Sequence, residues 1–303
     1  MSKIFDAHSH FMPQGVAEHT AFFKQHWSDS DRQLQTMDTL GIDKALLLYP
    51  TSDAHLNMGG WGKVCEVYNA QIAQVVQGHQ DRFIGAGILP ADAPQEFASE
   101  MNRCLDLGLK AITLGSSYNG VYLDDENFFP VYELAQKDNI PIHVHPQIIN
   151  PIGEERVKDP LLTPVLEYVF DVSMTIGKMM MEEVFLKFPD VKFIFAHYGG
   201  VIPFVKERFD NTYQMLRRRN FVKDLEQLPS DYFKNLYFDV SGSRSAASLL
   251  CALEVVDAKH LVFGSDFPAN QDIAGSIDVI RQSDLPEDHI ESILSGNSRF
   301  IFG

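Results

Sequence analysis

Cysteine is scarce in this chain of 303 residues: three, at positions 65, 104 and 251, none close to another. That excludes a disulfide-built scaffold and a cysteine-ligated zinc module, both of which need paired spacings. Scattered thiols in an odd number predict reduced side chains and a cytoplasmic protein. Positive charge is also short, with 25 Lys and Arg against 41 Asp and Glu and a net charge of −16. A nucleic-acid partner is excluded on that balance, because phosphate backbones require clustered cations. The longest basic run, Arg217-Arg218-Arg219, closes an apolar helical stretch and reads as its solvated end. No apolar run approaches the roughly 18 residues of a membrane span, and the first residues lack the apolar core of a signal peptide. A Gly-x-Gly-x-x-Gly is missing after the first strand, which removes the main signature of an open dinucleotide-binding sheet.

What the chain has instead is alternation. Short apolar runs at 5–10, 44–49, 83–89, 111–114, 141–146, 191–196, 236–239 and 260–264 read as strands, several of them closed by proline. Amphipathic helical stretches separate them, at 31–38, 63–77, 95–107, 128–137, 203–219 and 244–256, with another running through Val169, Met180 and Phe185. The first of these helices takes Ser28 or Ser30 as its cap and stops at Gly41. The last helix is expected at 287–294. Strands apolar along their whole length belong to a sheet covered on both faces. Eight of them, each followed by a helix, predict an α/β chain folded as a single-domain (β/α)8 TIM barrel over residues 1–303, with an open doubly wound sheet as the alternative.

The polar residues at the strand ends carry the chemistry. His8 and His10, two apart in an extended strand, point to the same side. His145 ends the fifth strand, His197 ends the sixth, and Asp266 follows the eighth. Each alone has a plain structural role, as a strand-end polar group, a core histidine or a helix cap. Together they converge on the carboxyl-end face, where such barrels place their reactions, and convergent His and Asp groups compose a catalytic metal site. Such a site lowers the pKa of a bound water to about 7 and polarises a substrate oxygen, while an adjacent histidine moves protons near neutral pH.

The stretches Asp6-Ala-His-Ser-His-Phe, Val144-His-Pro, Phe195-Ala-His-Tyr-Gly-Gly, Gly264-Ser-Asp-Phe-Pro and Gly296-Asn-Ser-Arg-Phe occur in order across nearly the whole chain. In them the sequence resembles the amidohydrolase superfamily, in particular the branch of aminocarboxymuconate-semialdehyde decarboxylase and related aromatic-acid decarboxylases. The resemblance implies His8, His10, His145 and Asp266 as ligands of one divalent metal, zinc by preference and manganese as the alternative. It implies His197 beside them as general base or acid. His143 reads equally as a partner behind the ligands or as interior packing. Dinuclear relatives use a modified lysine at the end of strand four; Thr113-Leu114-Gly115 stands there, which points to a single metal.

Two reactions fit that machinery. One is non-oxidative decarboxylation of a small aromatic or unsaturated cyclic acid, and the other is hydrolysis of a lactone or amide. A catalytically silent barrel is the third possibility, and the intact His and Asp set weighs against it. Arg208 matches the position from which the resembled decarboxylases reach the neighbouring subunit's site, which implies a homodimer. The chain departs from the semialdehyde enzymes at Gln35-Thr36, where arginine is expected before Met37-Asp38, so that exact substrate stays open. Arg156 and Arg244 are further anion-binding candidates, and Phe11, Trp27, Tyr49, Tyr198 and Phe267 are placed to wall a planar substrate. The segment 148–181 either covers the site or forms the dimer interface.

Overall fold

The computed structural model describes residues 3–153 and 156–303, so positions 154 and 155 of the segment 148–181 lie outside the described residues. Eight parallel strands follow one another around the sheet in chain order. They are β1 (Ile4–His10), β2 (Ile42–Leu48), β3 (Phe83–Gly87), β4 (Ala111–Gly115), β5 (Ile142–His145), β6 (Phe193–Phe195), β7 (Tyr237–Asp239) and β8 (Leu261–Val262). The chain beyond β8 closes the ring, with Ala7 N–H donating to Phe263 O at 2.8 Å and His10 N–H to Phe267 O at 2.7 Å. That closure removes the open-sheet alternative. The eighth strand is shorter than its apolar run predicts, because His260 belongs to a turn at Ala258–His260 and Gly264 onward crosses to β1.

The outer helices are α1 (Ser30–Leu40), α2 (Trp61–Gly78), α3 (Phe97–Asp106), α4 (Phe129–Asp138), α5 (Tyr168–Met181), α6 (Ile202–Arg217), α7 (Ala246–Leu253) and α8 (Ile273–Arg281). Asp29, rather than either serine, caps α1, its carboxylate accepting from Arg32 N–H at 2.9 Å. Ser28 is taken up elsewhere, its hydroxyl donating to Met12 O, and Ser30 is already the first helical residue. Gly41 ends α1 in the left-handed region at φ +71°, where a residue with a Cβ is strained.

One apolar cluster fills the space between strands and helices, drawing on Val64, Tyr68 and Ile72 of α2 and Val172, Ile176 and Met179 of α5 among others. A second, smaller cluster packs Phe5, Ala7, Leu46, Leu48, Ile84, Ala86, Ala111, Ile194, Tyr237 and Val262 with Ile301 and Phe302 of the terminal helix. Phe302 stacks on Phe5 at 5.7 Å between ring centroids, so the last turn of the chain plugs the amino-end mouth of the barrel. The register of β1 against β2 shifts between Asp6 and Ser9, a β-bulge that re-aims the strand end. His8 and His10 thereby turn into the barrel above the apolar layer. The floor is greasy and the upper interior is polar.

Candidate metal centre

His8, His10, His145 and Asp266 each offer one ligand atom, and those atoms lie within 4.8 Å of one another. His8 Nε2 is 3.1 Å from His10 Nε2 and 3.5 Å from Asp266 Oδ1, which is 3.3 Å from His10 Nε2. The three histidines are buried, while the Asp266 side chain is 19% exposed and opens the group toward solvent. Asp266 and His197 both sit in the left-handed backbone region, at φ +57° and +54°. Non-glycine residues held there mark positions where surrounding structure overrides local preference, a condition that gathers at functional sites.

The donor set fits a divalent cation because its outer contacts fix the imidazoles. His8 Nδ1 donates to Asp239 Oδ2 at 2.9 Å, and His145 Nδ1 donates to Pro146 O at 2.9 Å. With those nitrogens engaged, the remaining Nε2 of each ring turns its lone pair inward, as a ligating histidine requires. Close approach of the strands makes this possible. A Cβ built at Gly264 would fall 2.8 Å from His8 Cβ and 3.2 Å from Asp239 Cβ, so only glycine fits between them.

Asp239, at the end of β7, is the hub behind the ligands. Its Oδ2 also accepts from His143 Nε2 at 3.0 Å, while Oδ1 accepts from the backbone N–H groups of His197 at 3.1 Å and Ser241 at 3.0 Å. The Ser241 hydroxyl donates to the same Oδ1 and lies 2.8 Å from His197 Nδ1. An ionised carboxylate only accepts, so the serine proton goes to Asp239 and the serine oxygen accepts from His197 Nδ1–H. His197 is thus held with Nε2 available for proton transfer. His143 proves to be a partner of Asp239, so it reinforces the support behind His8.

The electrostatics follow from burial and neighbours. Burial works against ionising Asp239, yet His8 and His143 beside it hold its carboxyl well below the usual carboxylate range. Burial also opposes charge on His8, but Asp239 outweighs it and pushes His8 up to about 9. Burial drives His143 down to about 4 and lowers His10, His145 and His197. Asp266 is lowered against the pull of burial by a hydrogen bond with His10 and the nearby His8 and His197. Neutral imidazoles beside ionised carboxylates are the protonation state a cation needs, and a cation competes with the proton on His8. Burial pushes Asp6 up to about 7 despite its hydrogen bonds from Ser265 and His8.

A cleft of about 1230 Å³ lies over the group, lined by His10, His145, His197 and Asp266 and by the aromatic side chains of Phe22, Phe23, Trp27, Tyr168, Tyr198 and Phe204. Of the residues singled out in the sequence, the structure brings Trp27, Tyr198 and Arg156 to this cleft as well, whereas Phe11, Tyr49 and Phe267 are buried outside its lining. It does not bring Arg208 or Arg244 to the cleft wall. Arg208 is exposed on α6, and Arg244 pairs with Asp272 on the surface. Asp239 and Ser241 escaped the sequence reading. The signal for Asp239 was there, since it is a polar residue ending an apolar strand, the pattern that marked His145 and His197. For Ser241 there was none.

An amidohydrolase family model matches residues 5–303. The 2-amino-3-carboxymuconate-6-semialdehyde decarboxylase of Dictyostelium discoideum is 27% identical over 285 residues, covering 91% of this chain and 77% of that protein. The crystal structure of 5-carboxyvanillate decarboxylase from Sphingomonas paucimobilis superposes with a TM-score of 0.85 at 23% identity, covering 99% of this chain and 98% of that one. A dihydroxybenzoic acid decarboxylase from Polaromonas sp. JS666, solved with bound manganese and the inhibitor 2-nitroresorcinol, has a TM-score of 0.78 at 21% identity over 100% of this chain and 97% of its own. With the barrel, the strand-end histidines and the matched length all in agreement, the chain belongs to the amidohydrolase family.

Proposed function

We propose that this protein is a mononuclear metal-dependent decarboxylase of a small aromatic or unsaturated cyclic carboxylic acid. The observation that carries the reading is the convergence of His8, His10, His145 and Asp266 beneath a cleft walled by aromatic rings, with His197 beside them. The decarboxylases among the relatives and structural neighbours support it. The reaction breaks the bond between the ring carbon and the carboxylate, leaves the electron pair on carbon, and puts a proton there as carbon dioxide departs. A divalent cation held by the four donors supplies a Lewis acid for the substrate's oxygens. The aromatic walls orient a planar ring and exclude water, and Tyr198 is among them. His197, tethered at Nδ1 by Ser241, takes a proton at Nε2 from a substrate hydroxyl or from water and passes it to the vacated carbon, and Asp266, the donor that reaches toward the cleft, stands beside it.

Zinc is the cation we favour from three imidazoles and one carboxylate, with manganese supported by the Polaromonas neighbour. We read residues 1–303 as one domain in a cytoplasmic protein, with three free thiols in support. Among the described residues no helix is long and apolar enough to cross a membrane.

A homodimer belongs to the same reading. Leu166, Phe170 and Met174 stand exposed at four-residue spacing along α5 and the turn before it, and Phe204 on α6 is 85% exposed. Arg208 follows Phe204 by one helical turn and therefore shares its face. In this reading a second copy covers the apolar face and Arg208 reaches into that copy's cleft. Product analysis in deuterium oxide tests the function: a decarboxylated product carrying one deuterium at the vacated carbon is expected. A ring-opened lactone with no carbon dioxide would move the protein to the hydrolases.

A further inference from the structure

We infer that Arg156 forms an anion subsite in this chain's own cleft that takes a second carboxylate of the substrate, which makes the substrate a dicarboxylic acid. The inference rests on the decarboxylase reading and deepens it. Among the described residues lining the cleft, Arg156 and Lys158 are the only Arg or Lys side chains. Arg156 is 14% exposed, which places its guanidinium largely inside the wall, whereas Lys158 is exposed.

The guanidinium is held in place without being used up. Its Nη2 donates to Thr163 Oγ1 at 3.1 Å, and Thr163 Oγ1 donates to Glu167 Oε2 at 2.6 Å. Thr163 and Glu167 are four apart on one helical turn, so both face the arginine. Glu167 cannot offer the arginine a matched pair of oxygens. Its Oε1 accepts from the backbone N–H groups of Val157 and Lys158, and its Oε2, which accepts from Thr163, makes a one-point ion pair with Arg156 Nε at 3.3 Å and leaves the outer edge of the fork unmatched. A guanidinium carries five donors in a planar fork that matches a carboxylate edge to edge. Among the described residues Nη1 has no hydrogen-bond partner. A carboxylate of the substrate supplies the missing acceptor, while the carboxylate that leaves sits at the metal-binding group.

The test is calorimetric titration of metal-loaded protein with two probes on one ring, 2-hydroxybenzoate and 2-hydroxybenzene-1,3-dicarboxylate. Wild type is expected to bind the dicarboxylate at least about tenfold tighter, the scale of a charge-assisted hydrogen-bond pair. Arg156→Gln removes that preference, and Arg156→Lys restores part of it. A loss that comes from loosening the wall weakens both probes alike and leaves their ratio intact. Equal binding of the two probes by wild type, or a ratio unmoved by Arg156→Gln in protein of native circular dichroism, overturns the subsite. Preference in binding with no carbon dioxide released from either probe counts against the decarboxylase reading and leaves the subsite standing.

Discussion

Asp239 grips His8 from behind: its Oδ2 accepts from the imidazole Nδ1 at 2.9 Å, with both side chains fully buried. This one bond fixes the tautomer of a histidine that has to face a cation with its other nitrogen. It also links the end of β7 to the end of β1 over the intervening β8, so the metal-binding group depends on strand packing as well as on its four donors.

Replacing that acceptor tests the dependence. Asp239→Asn turns an acceptor-only group into an amide and leaves His8 free to rotate or to switch tautomer. Metal affinity is expected to fall about 10–100-fold, the range for losing an outer partner of a ligating histidine. Competition with a chelator measures it, and an affinity equal to wild type would show that Asp239 does not support the site.

Ser241 separates positioning from binding. Its hydroxyl orders His197 through Nδ1, the nitrogen opposite the one that moves the proton, so Ser241→Ala is expected to lower kcat by about 10²-fold with little change in KM. Ser241→Thr keeps the hydroxyl and recovers part of the loss. Steady-state kinetics on a turned-over acid reads both, and a kcat within twofold of wild type for the alanine variant would remove Ser241 from the proton path.

Gly264 is predicted to be irreplaceable on packing grounds. Gly264→Ala drives a methyl to 2.8 Å from His8 Cβ unless β1 or β7 shifts. Overpacking of this kind destabilises by about 1–3 kcal/mol. Thermal unfolding and metal titration of the variant are both expected to weaken; a variant with wild-type values for both would mean that the strand ends move freely.

Acid lability is expected at the amino end of the barrel. Partial burial works against ionised Asp43, but hydrogen bonds from Arg299 and Lys3 outweigh it and hold the carboxyl below its ordinary value. A depressed folded-state pKa means the stabilisation is complete above the unfolded value and is lost as pH falls through the lowered one. Because Lys3 and Arg299 are 74% and 41% exposed, the contribution is modest, about 0.5–1 kcal/mol at pH 7. The difference in unfolding free energy between wild type and Asp43→Asn should therefore begin to narrow below about pH 4 and shrink further as pH falls. A difference that does not narrow as pH is lowered from about 5 through the acid range would assign the effect to something other than charge.

Strand order and helix order were legible because apolar runs and helical periods alternate without interruption from residue 4 to the end of the chain. Boundaries were less so. The first helix is capped by Asp29 because Ser28 bonds to Met12 across a loop, a tertiary choice that local propensity does not encode. The eighth strand shrinks to Leu261–Val262 because the following residues bond across to β1 to close the barrel. In the site, residues ending strands before a loop were readable from position alone, which is how His145, His197 and Asp266 stood out. Asp239 obeys the same rule, but with no histidine beside it in Tyr237-Phe238-Asp239-Val240 it reads from sequence as an ordinary strand-end carboxylate. Arg156 and Arg208 could not be ranked from sequence, since cleft-facing and solvent-facing arginines differ only in the packing around them.

The central claim is that the four donors and His197 remove a carboxylate. Its most direct test is carbon dioxide release from pooled hydroxybenzoates and muconate-type acids by zinc- or manganese-loaded protein, with Asp266→Asn as control. The account predicts release by wild type, loss on chelation, and loss in Asp266→Asn, which removes one charged donor from the group while the protein keeps its fold. Release that survives in Asp266→Asn would contradict the site, and silence toward the acids alongside opening of a parallel lactone pool would contradict the reaction.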